Sequence, residues 1–164
     1  MCHHAAKISP GWAGEGFALD VMFSVASNEG QPDEHLYPYS LDNSLRPLES
    51  APLGLAPIYK SNIKSDSYKF EEITQKIDNG KIVGIAIAVT PSLYKPNDGL
   101  VAHDVYALVD TYHALIATGY GVHQSTSENY IKVRNSWGCS WGLEGYAWLP
   151  KSLIDLHLIG TFTI

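Results

Sequence analysis

The chain is expected to fold as an α+β protein built on an antiparallel sheet, and three observations point there. Two segments with helical spacing come first, four strand-like segments follow, and a proline-rich stretch lies among them. Strands gathered after helices, rather than alternating with them, argue against a parallel sheet.

The elements follow in order. Residues 17–26, FALDVMFSVA, repeat apolar positions at helical spacing between Gly16 and the stop Asn28-Glu29-Gly30. Residues 31–57 carry five of the nine prolines; proline fixes φ and removes a donor, so an extended, irregular connection is expected. In residues 67–80, SYKFEEITQKIDNG, Phe70, Ile73 and Ile77 share one helical face and Asn79-Gly80 ends it. KIVGIAIAV (81–89), HALIATGYG (113–121), NYIKVRNS (129–136) and GYAWLP (145–150) read as strands. In the third, Tyr130, Lys132 and Arg134 alternate with Ile131 and Val133.

Composition sets bounds on function. At 164 residues the chain suits one domain, which buries roughly 70 % of the surface its unfolded chain exposes. Residues 1–50 would hold the helical part and the connection, and residues 51–164 the β-rich part. A formal charge of −6 argues against nucleic acid or anionic membrane as the main partner. No apolar run reaches the ~20 residues of a membrane span, and MCHHAAK lacks the apolar core of a signal peptide. The chain therefore reads as soluble, with its compartment undefined. Cys2 and Cys139 are the only cysteines, too few for a disulfide framework.

His113 opens one candidate strand and Asn135 follows the end of another. Antiparallel pairing of the two strands would bring them side by side. An asparagine oxygen accepts from one ring N–H and so fixes the imidazole, leaving the other nitrogen to face a nucleophile. Trp137 would cover that hydrogen bond and lower the local dielectric around it. The competing reading makes His113 a structural histidine and Trp137 and Trp141 plain core.

The motifs decide between these readings. YHALIATGYG, followed by NYIKVRNSWGCSWGLEGYAWLP, resembles the C-terminal half of the papain-like cysteine peptidases, with its H-A-x-x-x-x-G-Y-G and N-S-W-G-x-x-W-G-x-x-G-Y patterns. Upstream, KIVGIAIAV with SLYKPNDGL is similar to the family's strand and Y-K-x-G segment, and NEGQPDEHLYPY to its G-x-x-x-E-x-x-Y-P-Y signature. The resemblance runs from about Gly14 onward. It implies a papain-like fold with a barrel-like β half and a reduced helical half. It also implies His113 as general acid/base, Asn135 as its orienting partner, and Trp137 and Trp141 as shields, with no metal or cofactor. Tyr112 stands where the family often has Asp or Asn.

The nucleophile does not match. The family carries its cysteine in a C-G-S-C-W-A-F type motif at the start of a long helix, and no such string occurs here. Either GWAGEGF is a degenerate form of that motif, with Gly11 or Gly14 in the cysteine's place, or it corresponds to the later G-C-x-G-G segment. The second alignment is preferred, because the spacing from Gly30 to Tyr37 fits it. In both cases no thiolate aligns, and no acyl-enzyme can form without one. Cys139 is expected to be a small buried thiol. Cys2 is the possible nucleophile, since an N-terminal arm could in principle reach His113, but a terminal arm forfeits the fixed geometry that makes a nucleophile effective. The Cys2-His3-His4 string falls short of the four ligands of a structural zinc site. His103 and Asp104 are expected in an exposed polar loop.

Three readings stay open: a peptide-binding or regulatory pseudoenzyme, a portion of an active cysteine peptidase completed by another segment or chain, and a purely structural scaffold. Activity of this chain alone is not expected. A sheet lacking its central helix leaves an apolar face, so self-association or a complementing chain is expected besides a peptide or protein ligand.

Overall fold

The structure of the protein is a computed structural model that describes residues 5, 8–9, 16–38 and 53–163. Cys2, His3, His4, Gly11, Gly14 and residues 39–52 of the proline-rich connection lie outside the described residues. The chain divides into two compact units, Met1–Lys64 and Ser65–Ile164.

In the first unit, α1 (Leu19–Asn28) begins two residues later than the apolar spacing suggests and buries Val25 and Ala26. The chain leaves it at Gly30, whose N–H donates to the Val25 carbonyl at 2.9 Å. Gly30 takes φ +77°, and a Cβ there would lie 2.6 Å from the Tyr59 carbonyl, so glycine is required twice over. Beyond it, β1 (Gln31–Pro32) pairs antiparallel with β2 (Ile58–Tyr59). The two ends of the proline-rich connection thus form a short ribbon.

The second unit is a six-stranded sheet with helices against it. Its strands are β3 (Lys64–Asp66), which starts on the last residue of the first unit, β4 (Val83–Val89), β5 (Thr111–Val122), β6 (Asn129–Arg134), β7 (Tyr146–Pro150) and β8 (Leu158–Thr163), in the order β3-β8-β4-β5-β6-β7. The sheet is open: β3 and β7 are its two edges, so the β-rich half is α+β with an antiparallel sheet rather than a closed barrel. A closed barrel would need β7 to pair back onto β3.

Alternation decides what each strand buries. In β6, Ile131 and Val133 are buried while Tyr130, Lys132 and Arg134 face outward, as the sequence suggests. β4 differs, since all seven of its residues are buried. Val83, Ile85, Ile87 and Val89 fill the core, and on the other face the Phe162 ring lies directly over Gly84, leaving no room for a Cβ. A central strand sandwiched on both faces tolerates only small residues where a large neighbour crosses it.

Helix α2 (Phe70–Asp78) presents Phe70 and Ile73 to this core, with Ile77 packed at its margin. Its start is fixed by Glu72, whose carboxylate accepts the Lys69 N–H at 2.8 Å. The short α3 (Pro91–Tyr94) opens on proline after Thr90 and buries Leu93. The sequence reading does not single out α4 (Lys151–His157), which buries Leu153, Ile154 and His157 and passes straight into β8. Lys151 ties α4 to α2, its ammonium 3.2 Å from Glu71 and 2.8 Å from Asp155. Burial makes Leu153 and Ile154 as much a part of the core as the strand residues.

Candidate active site

The site forms where β5 begins and β6 ends. The two strands pair antiparallel with Ala117 opposite Val133 and Ile116 opposite Arg134. Side chains alternate along a strand, so His113 shares a face with the buried Leu115 and Ala117, and Asn135 shares a face with Val133. Opposed residues share a face, and the two polar side chains therefore meet at one end of the core.

The geometry is specific. Asn135 Oδ1 lies 2.7 Å from His113 Nε2 and also accepts the Ser136 N–H at 2.7 Å. A backbone N–H can only donate, so the amide oxygen, not its nitrogen, occupies that position. An amide oxygen can only accept, so the hydrogen sits on Nε2 of the imidazole. The neutral ring then carries its lone pair on Nδ1, the one nitrogen left to take up a proton. Asn135 is buried, and its Nδ2 has no hydrogen-bond partner among the described residues. His113 is half-buried.

Aromatic rings enclose the pair. Trp137 lies against His113 with ring centroids 4.6 Å apart and planes tilted by 30°. Trp141 meets Trp137 edge to face at 5.8 Å and donates its indole N–H to the Leu93 carbonyl at 2.8 Å, so it is buried without an orphaned donor. Tyr94 stacks on Trp137 at 5.4 Å and 7°, and its hydroxyl donates to Asp110 Oδ2 at 2.6 Å. That bond favours the neutral phenol, and with desolvation and the carboxylate charge it raises the Tyr94 pKa above the ordinary value.

The turn bearing the tryptophans closes on itself. Asn135 N–H donates to the Gly145 carbonyl at 2.9 Å, and Gly145 N–H to the Trp141 carbonyl at 2.9 Å. Gly145 takes φ +87° there, a conformation glycine adopts without strain.

The turn also corrects one expectation: Cys139 is exposed, not buried. Trp137 and Trp141 both turn inward, which leaves the residues between them, Gly138 to Ser140, outside. His103 departs from expectation in the opposite sense. Its Nε2 is buried without a partner among the described residues, and its ring meets His157 edge to face at 5.9 Å. Asp104 is exposed, its Oδ1 accepting the Tyr106 N–H at 2.9 Å. Tyr112 also faces outward, 67 % exposed.

The structure brings together His113, Asn135, Trp137 and Trp141, and adds Leu93, Tyr94 and Asp110, which the sequence reading does not single out. Tyr94 lies in the SLYKPNDGL segment already matched by resemblance, and that is its one available signal. Among the described residues no three or more His, Cys, Asp or Glu side chains group to hold a metal ion, and no helix is long and apolar enough to cross a membrane.

Comparison with known proteins agrees with this fold. The papain family cysteine protease model matches residues 2–156. Cysteine proteinase 3 of Solanum lycopersicum is 30 % identical over 124 residues, which cover 74 % of this chain and 34 % of that protein. Xylellain, a cysteine protease from Xylella fastidiosa, superposes with a TM-score of 0.79 at 17 % identity, covering 99 % of this chain and 66 % of the other. ProCathepsin B S9 from Trypanosoma congolense superposes with a TM-score of 0.73 at 15 % identity, covering 98 % and 58 %. The chain spans about a third of the length of the curated relatives it matches. With a family match across most of its residues and a papain-like fold in the superposed structures, the chain belongs to the papain family of cysteine proteases.

Proposed function

We propose that this chain carries the acid/base half of a papain-type peptidase site, binds extended peptide beside it, and does not hydrolyse peptides by itself. The observation that carries the reading is the hydrogen bond from His113 Nε2 to Asn135 Oδ1 at 2.7 Å, reinforced by Ser136. A histidine held only for packing needs hydrogen-bond partners as well, but not one that leaves the other ring nitrogen bare beside a shielding indole. With hydrogen fixed on Nε2, Nδ1 is free to withdraw the proton of a thiol and later to return it to the leaving amine. His113 is then the acid/base, Asn135 its orienting partner, and Trp137 and Trp141 keep water from the bond.

No thiol among the described residues serves that base. Cys139 is the free cysteine there, in the outward part of the Trp137–Trp141 turn. Cys2, outside the described residues, is the one candidate nucleophile the chain itself offers, and the proposal assigns it no catalytic role. Two forms of the function follow. In the first the module is non-catalytic, a peptide-binding or regulatory pseudoenzyme. In the second a thiolate from another segment or a partner chain completes an active peptidase. Self-association or a complementing chain belongs to the proposal in both forms, as does the absence of a nucleic-acid partner.

The test is covalent labelling of the purified chain by an epoxide or vinyl-sulfone inhibitor of the papain type, read by intact mass, with His113→Ala alongside. No adduct is expected on the chain alone. A His113-dependent adduct on Cys2 overturns the proposal, because the chain then holds its own nucleophile. Repeating the labelling after co-refolding with the cysteine-bearing N-terminal half of a papain-family relative separates the two forms. Restored, His113-dependent labelling supports the completed peptidase, and retained peptide binding without labelling supports the binding module.

A further inference from the structure

Trp137 reaches the His113 ring from a turn whose neighbouring residues, Ser136 and Gly138 to Ser140, are exposed. Gly138 takes φ +88° with nothing packed where a Cβ would stand. The backbone beside the indole is therefore held mainly by the turn's own hydrogen bonds, and the side chain, packed at the margin of the core, is oriented by the rings it touches. It touches three rings: His113 at 4.6 Å, Trp141 at 5.8 Å and Tyr94 at 5.4 Å. Trp141 meets it edge-on, and Tyr94 is the ring that stacks nearly parallel, at 7°.

Tyr94 is itself 42 % exposed, and a half-exposed ring at the end of a four-residue helix has little to fix it by packing alone. Its hydroxyl supplies the fixing, donating to Asp110 at 2.6 Å. Asp110 in turn donates its own N–H to the Val89 carbonyl at 3.0 Å, anchored on the central strand one residue before β5 begins. His113 is the third residue of that same strand β5. The contacts thus form a closed ring: His113 to Trp137, Trp137 to Tyr94, Tyr94 to Asp110, and Asp110 back to His113 through three residues of chain. In a closed ring each member restrains the others, which an open chain of contacts does not do.

We infer that Tyr94 is a positioning residue: tethered to Asp110 and stacked on Trp137, it holds the indole against His113 and so keeps water from the His113–Asn135 hydrogen bond. The inference rests on reading that pair as the acid/base of the site and names the device that keeps it in order. Opening of the indole admits water to Nε2–H, exchanges its hydrogen and frees the other tautomer. The consequence for function is a base whose Nδ1 is bare only while the clamp is shut.

The experiment is nitrogen-15 NMR of the purified chain, reading the tautomer of His113 and the exchange rate of its Nε2–H with water. The variants are Tyr94→Phe and Asp110→Ala, with Tyr94→Ala as the larger lesion. Native-like spectra of the β5–β6–β7 residues provide the control for folding. In the parent chain the Nε2–H form and a slowly exchanging proton are expected. Loss of a stacked aromatic pair corresponds to roughly tenfold faster opening for Tyr94→Ala, and loss of the exposed tether to about threefold for Tyr94→Phe. Asp110→Ala, which removes the acceptor, should match Tyr94→Phe, and the double variant should be no faster than either, because both cut one tether. A parent chain without the Nε2–H form overturns the acid/base reading and the clamp with it. A parent chain with that form, and unchanged exchange in Tyr94→Phe and Asp110→Ala, overturns the clamp alone. Both of these outcomes are read without Tyr94→Ala, so the test stands even where that variant fails to fold.

Discussion

Two pairs built on histidine stand at the same end of the sheet and have opposite fates. Ile87 of the central strand is paired with His113 on one side and with Leu158, the residue after His157, on the other. On the β5 side, the amide oxygen opposite His113 accepts two N–H groups, and the imidazole is left in one tautomer with a usable lone pair. On the β8 side, His157 meets His103 edge to face, and the Nε2 atoms of both are buried with no partner among the described residues. Neutral imidazole needs an acceptor for one nitrogen and a donor for the other, and a second histidine supplies neither unless it is suitably turned. Burial therefore has two effects here: it strengthens the bond of the satisfied pair and penalises the unsatisfied one.

The largest expected effect comes from removing the floor of the satisfied pair. Trp141 is buried and its N–H is taken by Leu93, so Trp141→Ala opens a cavity and should cost about 3–5 kcal/mol, measured by urea unfolding. A loss under about 1 kcal/mol would mean that the end of the sheet at His113 does not depend on it. Asn135→Ala should cost less, about 1–3 kcal/mol, because Nε2–H of His113 and the Ser136 N–H both lose their acceptor. It should also leave His113 as a mixture of tautomers in nitrogen-15 spectra. Retention of a single tautomer would break the contrast, since Asn135 would then not be what distinguishes the two pairs.

The contrast also marks what is legible in the sequence. The strict alternation of Ile131 and Val133 against polar neighbours locates β6, and the place of His113 and Asn135 at strand ends follows from pairing those strands. The α4–β8 segment is not legible for a physical reason. The chain turns from helix at His157 to extended backbone at Leu158 with no glycine, proline or asparagine to mark the change. Neither a period of 3.6 nor one of 2 then persists long enough to be recognised. The pairing of His103 with His157 is hidden with it. Cys139 misleads because a free cysteine off the catalytic positions is most often a small buried thiol, whereas the turn that points both tryptophans inward must point its middle outward. Tyr94 and Asp110 meet across sixteen residues, on a four-residue helix and a returning loop, and no local pattern encodes such a meeting.

The smallest expected effect tests the unsatisfied pair and carries a sign. Burial, and secondarily the nearby His103, lowers the pKa of His157 below the ordinary histidine value of about 6.5. Well above that value the group is neutral in both folded and unfolded chains and adds no pH dependence. Between the ordinary value and the lowered one, the unfolded chain binds a proton that the folded chain refuses, so stability falls as pH falls through that window. His157→Leu keeps a similar volume, removes the orphaned nitrogen and removes the titration. The variant should be more stable than the parent by about 1 kcal/mol at neutral pH, and the gain should widen on acidification, when urea midpoints are compared at about pH 7 and about pH 5. A gain that stays constant with pH would assign the acid sensitivity to other histidines. A loss at both values would mean that the buried imidazole is satisfied after all, by a water or by residues beyond those described, and the contrast with His113 would then be one of function rather than of hydrogen bonding.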